Sequence, residues 1–286
     1  VLASFGKTIF DPALQAYVGA RVDYAHRGLV IGLLEFPWAG STLIGIPLVG
    51  LLLQEGGWSV ALLSMAAAAL ICIAIVVKVF EPDQWPTPAA GRHLDLTWKP
   101  LWARPAARGL LGFAFFASAA NDTLFIVYGV WLESSFGMGL AALGFSTVVI
   151  GAAELCGEAM TAFTADRIGL KRSATVGLFL SMAAYATLPL WGAGLTGALV
   201  GLFLVFAAFE FTIVNCLSLA TEIVPGRRAT MMSGFYVVAG FGRVCGALIG
   251  VPLWQAGGIA AVGASATGLT LLALVCLRRG LVGWRR

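Results

Sequence analysis

Asp122 follows Asn121 inside the apolar run LLGFAFFASAANDTLFIVYGVW. A carboxylate in such surroundings is costly unless it is protonated, paired or hydrated, which suits it to carrying a proton or holding a charged solute. Arg243 reads as a cavity cation, in a run with Gly240, Gly242, Gly246 and Gly250 that marks a helix of close packing and bending. Glu210, in LFLVFAAFEFTIVNCLSLA, has two readings: a bridge to Arg243, or a side chain facing a cavity. Glu154 and Glu158 stand four residues apart, so they share one helical face. Two such carboxylates in low dielectric do not both ionise, which suits a proton carrier and equally a protonated acid bonding across helices. Lys7 and Asp11 have the same spacing and either neutralise each other or bind cargo, and Glu35 completes the set. Catalysis has no comparable support: His26 and His93 fall in polar stretches, and neither G-x-S-x-G nor H-E-x-x-H occurs. The five cysteines lie in apolar runs without paired spacing, so neither a disulfide framework nor a metal site is expected. The chain is therefore expected not to be an enzyme and to hold no metal or organic cofactor.

The elements that must position these groups follow from composition. The 286 residues are 59% hydrophobic and 11% charged, with a mean hydropathy of +0.91, where soluble domains carry about a quarter charged residues. An apolar run of roughly 20 residues crosses the hydrocarbon as a helix, because no water is there to satisfy the backbone. Nine such segments are expected, at about 1-19, 29-54, 58-79, 108-131, 139-162, 173-191, 195-219, 230-254 and 258-277. Counted at about 1.5 Å per residue, Asp11, Asp122, Glu210 and Arg243 fall near the midplane, with Lys7 slightly further out. Glu35, Glu154 and Glu158 fall in the cytoplasmic half.

Charge orients these segments. The connections QEGG, ESSFGMG, WGAG and QAGG hold no Lys or Arg, whereas the alternate connections and the tail are basic, so the basic side and the C-terminus are expected in the cytoplasm. The net charge of +4 reflects this asymmetry, and no nucleic-acid partner is expected. Trp58, Trp131, Trp191 and Trp254 fall at the outer ends of four segments, as an interfacial belt requires. Residues 80-107 are Pro-rich and mixed in charge, and read as a cytoplasmic linker. An internal repeat is also legible: Arg27 with Gly56 and Gly45 matches Arg228 with Gly257 and Gly246 at one offset of about 200 residues. Segments four to six then lack partners before them, and three absent helices are expected to precede Val1. The expected organisation is two six-helix bundles: 1-79 the end of the first, 108-278 the second, and 279-286 a tail.

The stretch AFTADRIGLKR at 162-172 carries a family resemblance. It resembles the G-x-x-x-D-R-x-G-x-R/K-R/K loop signature of the major facilitator superfamily, with Asp166, Arg167, Gly169, Lys171 and Arg172 in place and Ala162 where the family has Gly. The resemblance implies an all-α two-bundle membrane transporter, here with nine of twelve helices, in which this loop latches one of two conformations. GSTLIGIPLVG at 40-50 is similar in part to the Gly-Pro stretch of the superfamily's antiporters, with Gly45, Pro47 and Gly50 as packing or kink positions. The implied function is alternating-access transport of a small molecule, driven by a proton gradient. Export by proton antiport is the favoured direction, with proton-symport uptake or a non-transporting truncated chain as alternatives. The implied setting is the bilayer of a bacterial inner membrane, with a monomer as the complete form.

Overall fold

The computed structural model describes residues 41–79 and 98–284, together with Gly6, Phe10, Leu14, Val22, Val30, Leu33, Leu34, Pro37 and Gly40. Lys7, Asp11, Glu35 and most of 80-107 lie outside the described residues, as does the side chain of Asp166. A π-helical turn, Ser41–Gly45, enters α1, Ile46–Val79. A short α2, Lys99–Ala103, precedes α3, Pro105–Phe125, and α4, Tyr128–Phe136. Then follow α5, Leu140–Ile168, α6, Leu170–Trp191, and α7, Leu195–Ile223. A 3-10 turn, Pro225–Arg227, leads into α8, Arg228–Gly280. The described residues are all-helical and contain no strand.

The 53 residues of α8 would span about 80 Å if straight, far more than the roughly 30 Å of a bilayer interior. The backbone leaves helical angles at Gly257 (φ −158°, ψ 21°) and Gly258 (φ 58°, ψ −150°). Contacts with α3 show what the break does. Ascending α3, Gly109 faces Gly280 and Gly112 faces Cys276, whereas Phe115, Ala119 and Thr123 face Gly242, Gly246 and Gly250. The two parts of α8 therefore run in opposite directions along α3. In α1 the break is at Gly57 (φ 67°, ψ −169°). Gly57 and Gly258 follow the matched pair Gly56 and Gly257 directly, so the sequence repeat is also a repeat of backbone geometry. QEGG and QAGG, expected as connections between separate helices, are tight glycine turns: the backbone leaves helical angles there, and the two parts of α8 on either side run in opposite directions. The positive φ with strongly negative ψ at Gly57 and Gly258 is a region occupied essentially by glycine, and Gly258→Ala is expected to cost about 1–3 kcal/mol. The loss should appear as a lower melting temperature in detergent. Gly268→Ala, where a Cβ meets nothing within 4 Å, should leave the melt in place.

The core divides into two layers. Leu110, Phe113, Leu178, Met231, Met232, Phe235 and Leu277 form one, and Leu124, Trp131, Tyr185, Leu188, Phe206 and Val262 the other. Between helices in lipid the drive is van der Waals contact, so small residues set the closest approaches. The 40-50 stretch packs in this way on α5. A Cβ on Gly151 would lie 2.6 Å from the Leu43 nitrogen, and one on Gly50 3.6 Å from the Cα of Gly144. The Thr147 hydroxyl donates to the Thr42 carbonyl at 3.2 Å across the same seam. Val214 on α7 is met by Val22, Val30 and Leu34. In the second part of α1, Leu63, Leu70 and Ile71 stand exposed, as suits a surface that meets lipid.

Candidate functional site

The α3–α8 seam decides where the charged groups meet. Gly242, Gly246 and Gly250 recur every fourth residue and lay one face of α8 directly on the α3 backbone. A Cβ on Gly242 would collide with the Phe115 carbonyl, one on Gly246 with the Ala119 carbonyl, and one on Gly250 would lie 2.7 Å from the Thr123 carbonyl. Arg243 is thereby held at the edge of the seam, within reach of α3. Its Nε donates to both oxygens of Asp122, at 3.1 Å to Oδ2 and 3.3 Å to Oδ1. The Asp122 side chain is 14% exposed and that of Arg243 47% exposed. Arg243 thus takes Asp122 as its partner rather than Glu210, because the seam presents α3, not α7, to the guanidinium.

Asn121 faces inward from the same turn, where the Tyr185 hydroxyl of α6 donates to its Oδ1 at 3.5 Å. Just beyond Asp122 the helix stops: the Ile126 amide bonds back to the Asp122 and Leu124 carbonyls, and α4 begins only at Tyr128. A break in a spanning helix frees backbone groups and gives the helix a place to bend, which is why transporter sites often lie on interrupted helices.

A second polar cluster lies between α5 and α7. Gly157 brings them together, since its Cβ would lie 2.7 Å from the Ala207 carbonyl and 2.8 Å from the Glu210 Cβ. Glu154, Glu158 and Glu210 are all buried there. Asn215 Nδ2 donates to the Phe211 carbonyl at 2.7 Å and to the Thr161 hydroxyl at 3.2 Å. Tyr185, Thr161 and Asn215 are polar groups that ionisable residues alone do not reveal; a polar side chain within a long apolar run is the signal that would have found them.

At the 162-172 loop, Gly169 turns the chain between α5 and α6 with φ 88°, a left-handed angle that favours glycine. Lys171 Nζ donates to the Leu281 carbonyl at 2.7 Å, just past the end of α8. Arg167 and Arg172 are exposed. Bases cap α7 at the same side: Arg104 donates to the Ile223 carbonyl at 3.3 Å and Arg228 to that of Thr221 at 3.0 Å. Arg228 also lies 3.9 Å from Glu222. Cations at helix C-termini complement the carbonyls and the dipole. Of the packing positions, Gly50 sits on Gly144 and Pro47 is 4.0 Å from where a Cβ on Gly144 would lie, while Gly45 approaches only its own turn at Ser41.

Comparison with known proteins gives this arrangement a family. Residues 1–153 match the Major Facilitator Superfamily. The MFS-type transporter YceJ of Bacillus subtilis (strain 168) is 22% identical over 231 residues, covering 81% of this chain and 59% of its own. YwfA of the same organism is 24% identical over 280 residues, covering 96% of this chain and 67% of its own. The chain thus spans about three fifths to two thirds of the length of these relatives. Among solved structures, a bacterial homologue of the iron transporter ferroportin, in an outward-facing state, superposes with a TM-score of 0.71 at 15% identity, over 99% of this chain and 71% of that one. The human organic anion transporter MFSD10 (TETRAN) superposes with a TM-score of 0.69 at 18% identity, over 92% and 66%. With a family match over more than half its residues and a shared fold, this all-helical membrane chain belongs to the major facilitator superfamily.

Proposed function

We propose that this chain carries a small solute across a bacterial membrane by alternating access, coupled to protons at the Asp122–Arg243 pair. The observation that carries the reading is the placement of that pair. Asp122 lies 17 residues into α3 and Arg243 15 residues into α8, about 25 Å and about 22 Å of helix from the basic side, beside the break between α3 and α4. Charge at that depth is costly unless it is used. Protonating Asp122 removes the partner that holds Arg243, loosening α8 from α3, and a change that favours one packing over the other shifts the balance between two conformations. The 162-172 loop serves as the latch on the basic, cytoplasmic side, with Gly169 making the turn and Lys171 tying it to the end of α8.

The sign of coupling follows from the charge of the cargo. A cation competes with the proton for Asp122 and is exchanged for it, which is export by antiport. An anion competes with Asp122 for Arg243 and leaves the carboxylate free to take a proton, so both travel together. Asp122→Asn in proteoliposomes of the full chain is expected to abolish accumulation of cargo driven by a pH gradient while cargo-for-cargo exchange continues. Unchanged proton-driven accumulation in that variant would remove Asp122 as the carrier and move the role to Glu154 and Glu158.

A further inference from the structure

Arg243 is half used. Asp122 occupies only its Nε edge, and neither terminal nitrogen makes a hydrogen bond or ion pair among the described residues. A guanidinium does not deprotonate in proteins and presents its donors in a planar fork, so the N–H groups on the free edge stay charged and unsatisfied at the depth of the bilayer centre. Such an edge persists where it meets water or a ligand, and its geometry matches an oxyanion bidentately. Asp122, by contrast, is 14% exposed against 47% for Arg243, with both oxygens already turned to the Nε. The group offered to an arriving solute is the cation.

We propose that the cargo of this site is an organic anion, a carboxylate, sulfonate or phosphate ester, which seats on the free edge of Arg243 and displaces Asp122. The assignment rests on the transport reading above and selects, of its two couplings, the one in which proton and cargo move together. The step balances: the anion enters with its charge, Asp122 leaves the guanidinium and takes one proton from the water of the open side, and release on the other side returns both. The groups facing Asp122 make this exchange possible. Besides Arg243 from α8, α6 brings only Tyr185 toward it, bound to Asn121. The remaining ionisable groups on helices packed against α3 are Arg228, Tyr236, Cys245, Cys276, Arg278 and Arg279 elsewhere on α8, Glu210, Cys216 and Glu222 on α7, Tyr128 and Glu133 on α4 and Lys99 on α2.

The test uses the full chain purified in detergent and a set of probes with one apolar body and different charge: benzoate and benzenesulfonate, benzyl alcohol, and benzylamine. Binding is read by thermal shift and calorimetry, and proton uptake by a pH indicator in weak buffer. The anions alone are expected to bind, with up to one proton taken up per anion. Arg243→Gln should weaken anion binding by at least about tenfold. Asp122→Asn, which removes the competing carboxylate, should bind at least as tightly as the unaltered chain and take up no proton. Preference for benzylamine or benzyl alcohol would overturn the anion assignment while leaving a transport site in place. Anion binding that releases protons, or that both variants lose equally, would also overturn it. If no probe of any charge binds, the site itself is wrong, and the transport reading at Asp122 and Arg243 falls with it.

Discussion

Gly246→Leu is expected to leave little correctly folded protein. A single Cβ on Gly246 would already penetrate the Ala119 carbonyl, and backbone cannot rotate aside as a side chain does. An isobutyl group there forces α8 away from α3 by the width of a side chain. That opens Gly242 and Gly250 as well, since all three glycines share one stripe. Overpacking in a close-packed interior costs typically about 1–3 kcal/mol and more where backbone must move. Here the displaced contact joins the first part of α8 to the core, through Phe235, Met231 and Met232. The check is a melting curve and the elution profile in detergent. Gly246→Leu should be largely aggregated or melt far below the parent, whereas Gly240→Ala, whose Cβ meets nothing within 4 Å, should be indistinguishable from it. A native elution profile and melting temperature for Gly246→Leu would mean that the seam is not as close as described.

The second large effect is a coupling rather than a loss. Arg243→Gln alone leaves Asp122, with most of its surface covered, without its counter-ion. Asp122→Asn alone leaves a guanidinium that is nearly half exposed and better able to find water. The arginine substitution should therefore be the more damaging, and the double variant should recover much of its loss, because removing both charges removes the desolvation problem along with the attraction. A double-mutant cycle on stability should give a coupling of about 1–3 kcal/mol, the range for contacting residues. Additive losses would show that the two charges do not meet in the folded protein. Transport should be lost in Arg243→Gln and in the double variant alike, since stability can be recovered without the cargo-binding cation.

Much of the organisation was legible from residue types alone. A chain with so little charge must satisfy its backbone internally, so long apolar runs had to be helices, and glycine-rich connections had to be tight. The matched QEGG and QAGG stretches pointed to a repeat, and the paired positive φ at Gly57 and Gly258 is its backbone counterpart. What the sequence left open was partnership. A bridge from Glu210 to Arg243 was one of two readings of that acid, and the fold gives Arg243 to Asp122 instead, because depth along a helix is readable from residue number but azimuth between helices is not. The 40-50 stretch, read as a partial antiporter signature, is used in the fold to pack on α5 through Leu43, Gly50 and Thr42.

The amino-acid sequence by itself determined that the described segments are apolar helices, where their chains can turn and which connections are basic, since these depend on local composition. Tertiary structure alone decided that Arg243 meets Asp122, that Tyr185 holds Asn121, and that Gly157 brings Glu210 beside α5. Those meetings depend on how close two helices come and which faces they turn to each other. A few ångströms of approach, set by Gly242, Gly246 and Gly250 against carbonyls more than a hundred residues away, place the two charges within hydrogen-bonding reach.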